Sequence, residues 1–267
     1  MAKILFIGAG KMACAIAGGM AGNGFAAADL AAFDIASAAT ANFVEASGGS
    51  VCDEADCANA IACADAVVLA VKPQHITAAL ANISVWLKDK LIISIAAGVR
   101  LDTLMELSSS KRVVRVMPNT PALVGAGMSA YAPSEQASVA DVKLTEQILG
   151  SVGEFSRVNE NMMDAVTGVS GSGPAYVFDF IQALADGGVN AGLPRDVALR
   201  LAAQTVLGAA QLVIASGQHP AVLRDQVTSP GGTTAKALAV LENNAFKGIV
   251  IDAVQAAVKR SIELGKQ

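Results

Sequence analysis

The run Thr228-Ser229-Pro230-Gly231-Gly232-Thr233-Thr234-Ala235-Lys236 joins paired glycines to hydroxyls and offers no strong acid, base or nucleophile. Backbone N–H groups and threonine hydroxyls in such a run suit a small polar molecule and leave the demanding chemistry to a cofactor. The cofactor signal lies at the other end of the chain, in Gly8-Ala9-Gly10-Lys11-Met12-Ala13. There the first glycine permits a tight turn, the second lets backbone approach a pyrophosphate, and the small Ala13 allows close helix–strand packing. The helix N-terminus then faces the phosphates.

Asp34 ends the second expected strand at the distance where an acidic residue bonds a ribose 2′-hydroxyl. A carboxylate there repels a 2′-phosphate and favours NAD over NADP, although Ser37 offers a phosphate a hydroxyl. Ala70-Val71-Lys72-Pro73 and Ile95-Ala96-Ala97-Gly98 end two later strands, at the edge where open parallel sheets bind ligands. The same residues would also serve as plain strand-to-helix turns. Met117-Pro118-Asn119-Thr120-Pro121 ends another strand, with Asn119 and Thr120 supplying polar atoms.

These residues need a scaffold, and the pattern predicts one in two parts. From Lys3 to Arg157, apolar runs at Ile4–Ile7, Leu30–Phe33, Ala66–Val71, Leu91–Ile95 and Val113–Met117 alternate with helical stretches at 11–22, 37–47, 75–87 and 101–107. The alternation predicts an α/β fold, a doubly wound Rossmann-type sheet with right-handed crossovers. Segments 126–131 and 153–158, flanking a helix over 135–149, extend the sheet. After Glu160 the strand signal stops. Pro174 and Pro194 suit helix starts for 175–189 and 197–216, and Gly217 stops the second. The expected division is therefore 1–158, a dinucleotide-binding domain, and 159–267, an all-helical dimerisation and substrate domain. The helix over 197–216 is apolar almost all round, so a second subunit must cover it, unless it is the central helix of a monomeric bundle.

The 267 residues are 53% hydrophobic and only 16% charged, which agrees with surface buried between subunits. A net charge of −4 with both signs scattered excludes a nucleic-acid or anionic-membrane surface. Every apolar run is punctuated, so neither a signal peptide nor a spanning helix is expected, and the chain reads as cytoplasmic. The four cysteines and two histidines lack metal-ligand spacing, so no metal site is expected and the thiols read as reduced and inert.

With these residues placed, the whole chain resembles the pyrroline-5-carboxylate reductase family. The resemblance rests, in order, on 6–13, 70–73, Ser94-Ile95-Ala96-Ala97-Gly98-Val99, 117–121, Gly168-Val169-Ser170-Gly171-Ser172-Gly173-Pro174-Ala175-Tyr176, and 229–234. It implies that NAD(P)H reduces the imine of 1-pyrroline-5-carboxylate to L-proline, the final step of proline biosynthesis. It also implies a homodimer through the helical domain, in some members assembled further into rings.

By the same resemblance, the substrate lies between the nicotinamide and the glycine-rich run. Ser229 opens that run, backbone N–H groups of Gly231, Gly232 and Thr233 hold the carboxylate, and the Thr234 hydroxyl, the catalytic candidate, reaches the ring nitrogen. Glu160 matches a carboxylate near the substrate amine. Gly8, Ala9, Gly10, Lys11, Met12, Ala13, Asp34, Ala70, Val71, Lys72, Pro73, Ala96, Ala97 and Asn119 form the cofactor side. The family commonly takes NADPH, and Asp34 leaves NADH open because many members carry serine or threonine there.

The residues suit the reaction. A free imine of this kind carries some proton near neutrality, so the protein mainly aligns, holds the carboxylate and excludes water. Thr234 would orient or relay, or else merely cap a helix beginning at Ala235. A rival dehydrogenase of 3-hydroxy acids would need a lysine on the long helix, and none occurs between Lys143 and Lys236. A non-catalytic nicotinamide sensor would have no need for the 229–234 run.

Overall fold

The computed structural model describes residues 2–265, so the first residue and the last two of the expected domains lie outside it. An eight-stranded sheet is built from β1 (Ile4–Ile7), β2 (Leu30–Phe33), β3 (Ser50–Val51), β4 (Ala66–Leu69), β5 (Leu91–Ser94), β6 (Val113–Met117), β7 (Gly127–Pro133) and β8 (Gly153–Arg157). Their order in the sheet is β3-β2-β1-β4-β5-β6-β7-β8. All neighbours run parallel except β6 and β7.

Side-chain alternation gives this sheet two apolar faces. Ile4, Phe6, Val68, Ile93, Val114 and Val116 enter one buried cluster, while Leu5, Ile7, Val67, Leu69, Ile92 and Val113 enter the other. Helix Lys11–Gly22 covers the first face with Ala13, Ile16, Ala17 and Met20. Both faces being covered, the strands read as continuous apolar runs.

Local boundaries follow side-chain chemistry. The helix expected over 135–149 runs Val139–Gly150, because Ser138 and Asp141 cap it reciprocally. The stretch expected as helix over 75–87 divides into Ile76–Ala81 and Ser84–Leu87 around a turn at Asn82-Ile83. The edge strand Ser50–Val51 and helix Cys57–Cys63 were not expected.

Two compact units emerge. One runs to Ser172 and resumes at Ala256, and the other is Gly173–Gln255. By compactness, residues 159–172 group with the sheet. Residues just past Glu160 belong to the sheet's unit because Met163 is buried in its second apolar cluster and Asp164 Oδ1 accepts the Ser261 hydroxyl at 2.6 Å.

The second unit is all-helical: Gly173–Asn190, Arg195–Ser216, Pro220–Gln226, Thr233–Asn243 and the start of Phe246–Leu264. Its own core is small, with only Ala185, Ala198 and Ala202 forming a buried cluster. Large apolar side chains such as Phe178, Leu199, Leu207, Leu212, Ile214 and Ile251 stay exposed. Helix Arg195–Ser216 is long and apolar enough to cross a membrane on length and composition, contrary to the expectation that no stretch would be. The interruptions seen in the sequence are Arg200, Gln204 and Gln211, too few to lower its mean hydropathy below the spanning range.

Candidate active site

Register aligns the carboxyl ends of four strands, since Ile7 lies beside Phe33 and Leu69, and Leu69 lies beside Ser94. Gly8, Asp34, Ala70 and Ile95 each follow one of those residues, so the expected cofactor segments emerge along one edge. Gly8 donates its N–H to the Phe33 carbonyl at 2.8 Å, and Ala70 donates to Ile7 at 2.8 Å. Gly8 has φ +99°, and a Cβ there would stand 2.8 Å from the Ala70 carbonyl carbon and the Val71 nitrogen. Only glycine lets these two strand ends close up.

Gly10 caps helix Lys11–Gly22 without any side-chain cap, and a Cβ at Gly10 would meet nothing within 4 Å. The result is open space in front of unpaired helix N–H groups, which fits a pyrophosphate. A cleft of about 690 Å³ adjoins it, lined by Ala9, Gly10, Lys11, Ala36 and Asn42 among others. Ala13 is fully buried and lets the helix lie against the sheet, while Met12 packs partly on that core.

The Asp34 carboxylate is fixed at both oxygens. Oδ2 accepts the Ala9 N–H at 2.7 Å and Oδ1 accepts the Ala36 N–H at 2.9 Å. Beyond β4, Lys72 is exposed and precedes a 3₁₀ turn begun by Pro73. Ala96 is buried and Ala97 exposed after β5.

Asn119, expected on the cofactor side, is engaged at both ends of its amide. Its Oδ1 accepts the Met128 N–H at 2.9 Å and its Nδ2 donates to Ser170 Oγ at 3.3 Å. Both ends of the amide therefore brace β7 against the π-helical turn Thr167–Gly171.

Glu160 is equally engaged. Its Oε1 accepts the Leu101 N–H at 2.6 Å and faces Arg115 Nη1 at 3.2 Å, with Arg115 itself almost fully buried. Arg115 was missed from sequence, although a lone charge in Val113-Val114-Arg115-Val116-Met117 was the available signal.

In the second unit, Ser229–Gly232 forms a turn with Pro230 at its second position and Gly231 at φ +70°, closed by the Gly232 N–H on the Ser229 carbonyl at 3.0 Å. That bond commits Gly232, one of the three N–H groups expected to hold a carboxylate. Helix Thr233–Asn243 follows directly, with Gly232 at its N-cap and no side-chain cap. Thr234 thus lies inside the first turn and does not cap a helix at Ala235. His219 Nδ1 accepts the Ala221 N–H at 3.2 Å and caps the short helix Pro220–Gln226.

A second cleft, of about 580 Å³, lies among residues at the amino ends of β4, β5 and β6. Its charges serve the fold: Lys90 donates to the Ala62 and Ala64 carbonyls, and Arg112 holds Asp141. The four cysteines are free thiols. Burial pushes the Cys14 and Cys57 thiols up and Cys52 up to about 11, so these three stay protonated and unreactive near neutrality.

The chain is similar to known proteins over nearly its whole length. Residues 160–264 match a family described as pyrroline-5-carboxylate reductase dimerisation, and residues 3–98 match one described as NADP oxidoreductase coenzyme F420-dependent. A pyrroline-5-carboxylate reductase of Arabidopsis thaliana is 45% identical over 99% of this chain and 96% of its own length. One from Methanosarcina acetivorans is 43% identical over 99% of this chain and 98% of its own. Among solved structures, a pyrroline-5-carboxylate reductase from Coxiella burnetii superposes with TM-score 0.92 at 35% identity, covering 98% of both chains. A Plasmodium falciparum pyrroline carboxylate reductase with NADP bound gives TM-score 0.88 at 35% identity, covering 99% of this chain and 98% of that one.

Proposed function

The chain belongs to the pyrroline-5-carboxylate reductase family, and from that membership we infer which residues carry the reduction of 1-pyrroline-5-carboxylate to L-proline. It is an NAD(P)-dependent oxidoreductase of proline biosynthesis, with NADP as the coenzyme of its family and of its Plasmodium relative. When bound, the reduced coenzyme supplies the hydride. The open N-terminus of helix Lys11–Gly22 and the glycine-lined edge at Gly8–Gly10 hold its pyrophosphate, with Ala70, Val71 and Ala96–Ala97 forming the neighbouring strand-end loops.

Thr233 and Thr234 present backbone N–H groups at the start of their helix, with Gly231 just before them, and together these hold the substrate carboxylate. The helix dipole adds to that hold. The Thr234 hydroxyl orients the protonated ring nitrogen. As hydride forms the new C–H bond at the imine carbon, the C=N π pair passes to nitrogen, which already carries the proton. No ionisable side chain is needed in the run, because hydride is the nucleophile and solvent supplies the proton.

Glu160 acts as a positioning group. Its Oε1 bond to Leu101 N fixes the end of the loop that leaves β5. The observation that supports the whole reading is the turn-to-helix junction at Ser229–Thr234, which offers anion-binding N–H groups and a hydroxyl in a run of six residues.

The exposed apolar helices of the second unit are covered by a second copy, giving a homodimer that can assemble into rings, in the cytoplasm. This is also the cover for Arg195–Ser216, in place of a bilayer. The test of activity is coenzyme oxidation on adding 1-pyrroline-5-carboxylate; no turnover with NADH or NADPH would overturn the reading. Light scattering that gives a monomer mass would overturn the dimer.

A further inference from the structure

We propose that Asp34 and Ile35 build the adenosine end of the coenzyme site for a free ribose 2′-hydroxyl, so that this enzyme binds NADH more tightly than NADPH. The proposal rests on the coenzyme site described above and deepens it.

Three observations carry it. First, the Asp34 carboxylate is held at both oxygens by the N–H groups of Ala9 and Ala36, so it cannot swing away from the edge where the glycine turn and β2 end side by side. Each carboxylate oxygen keeps a lone pair beyond those bonds, which suits a ribose diol and repels a doubly charged phosphate. Second, Ile35 is 96% exposed at the next position. Where a site for a 2′-phosphate would present a cation, this chain presents bare apolar surface of the kind that lies against an adenine face.

Third, no cation follows. From Ile35 through Ser47 the only charged residue is Glu45, so helix Ser37–Ser47 brings no lysine or arginine to a phosphate. Ser37 opens that helix with a hydroxyl but no charge. Of the nearby cations, Lys72 follows β4, which lies on the opposite side of β1 from β2, and Lys11 opens the helix that serves the pyrophosphate.

Titration calorimetry with ADP-ribose and 2′-phospho-ADP-ribose tests this without any catalysis. ADP-ribose is expected to bind about ten-fold or more tightly, with the gap narrowing as salt rises, since the penalty is a charge repulsion. In Asp34→Asn, which removes the charge with little change of shape, and in Asp34→Ser, the gap should close. Equal or tighter binding of the 2′-phosphorylated ligand by the wild type overturns the proposal while leaving the dinucleotide site intact. Failure of both ligands to bind overturns the site and the proposal together.

Discussion

Glu160 Oε1 lies 2.6 Å from the backbone nitrogen of Leu101, a residue 59 positions earlier. Leu101 is the first residue of helix Leu101–Ser108, whose N-cap Arg100 provides no side-chain cap. The carboxylate therefore replaces the missing cap from a distance and carries the charge that the helix N-terminus favours. It also neutralises Arg115, whose side chain is only 6% exposed. One oxygen thus ties the loop after β5 to the middle of β6.

Glu160→Ala strips both partners, leaving a buried guanidinium unpaired, and should cost about 3 kcal/mol in urea unfolding. Glu160→Gln keeps an acceptor for Leu101 and should cost about 1–2 kcal/mol. In the glutamine variant the coenzyme KM should rise several-fold while the KM for the imine holds. A raised imine KM with unchanged coenzyme binding would instead put Glu160 on the substrate.

Gly8 and Gly10 should separate stability from coenzyme binding. In Gly8→Ala the new Cβ meets backbone of Ala70 and Val71 at 2.8 Å with φ +99°, so neither neighbour gives way. The expected loss is about 3 kcal/mol, seen as a lower unfolding midpoint. Gly10→Ala meets nothing within 4 Å. Its unfolding midpoint should shift by less than about 1 kcal/mol, the scale of an N-cap change, while coenzyme affinity falls because the methyl enters the phosphate space. A Gly10→Ala protein that binds coenzyme normally would displace the pyrophosphate from this edge.

Much of the sheet was legible because β1, β2 and β6 are apolar runs broken by glycine, aspartate and proline. What escaped detection was either too short to carry a period or tertiary in origin. Ser50–Val51 is a two-residue edge strand, held only by β2. The Arg115–Glu160 contact spans 45 positions, so no local pattern announces it. Asn119 shows what sequence leaves out at a site residue: its amide also braces Met128 and Ser170, partners 9 and 51 positions away, while one N–H and one lone pair stay available to a coenzyme. The glycine-threonine run was legible as a binding element, but which N–H groups remain unpaired depends on the turn at Ser229–Gly232.

Acid should expose the Arg112–Asp141 pair. Burial pushes the Asp141 carboxyl up, but the hydrogen bond from Arg112, those from Ser138 and the guanidinium charge together hold it below the ordinary carboxylate range. A carboxyl depressed in the folded state adds stability that is fully present above its unfolded value, about 4, and is lost as pH falls through the folded value. The urea midpoint should therefore drop below about pH 4. Asp141→Asn should lower stability at neutral pH and flatten that acid limb. An unchanged acid slope would assign it to other carboxylates.

The role proposed for Thr234 can be separated from its place in the helix. Because Gly232 is the N-cap and Thr234 lies within the first turn, Thr234→Ala removes no cap and should leave the unfolding midpoint nearly unchanged. Any loss of rate then reports the hydroxyl itself. If that hydroxyl orients the ring nitrogen in the transition state, kcat should fall about ten-fold or more, the scale of one hydrogen bond of about 1.4 kcal/mol. Thr234→Ser should restore most of the rate, since it returns the oxygen without the methyl. The alanine variant's rate should stay pH-dependent in the same way as the wild type, because a threonine hydroxyl does not titrate in the working range. A wild-type rate in Thr234→Ala would leave the backbone N–H groups as the whole of the substrate site in this run.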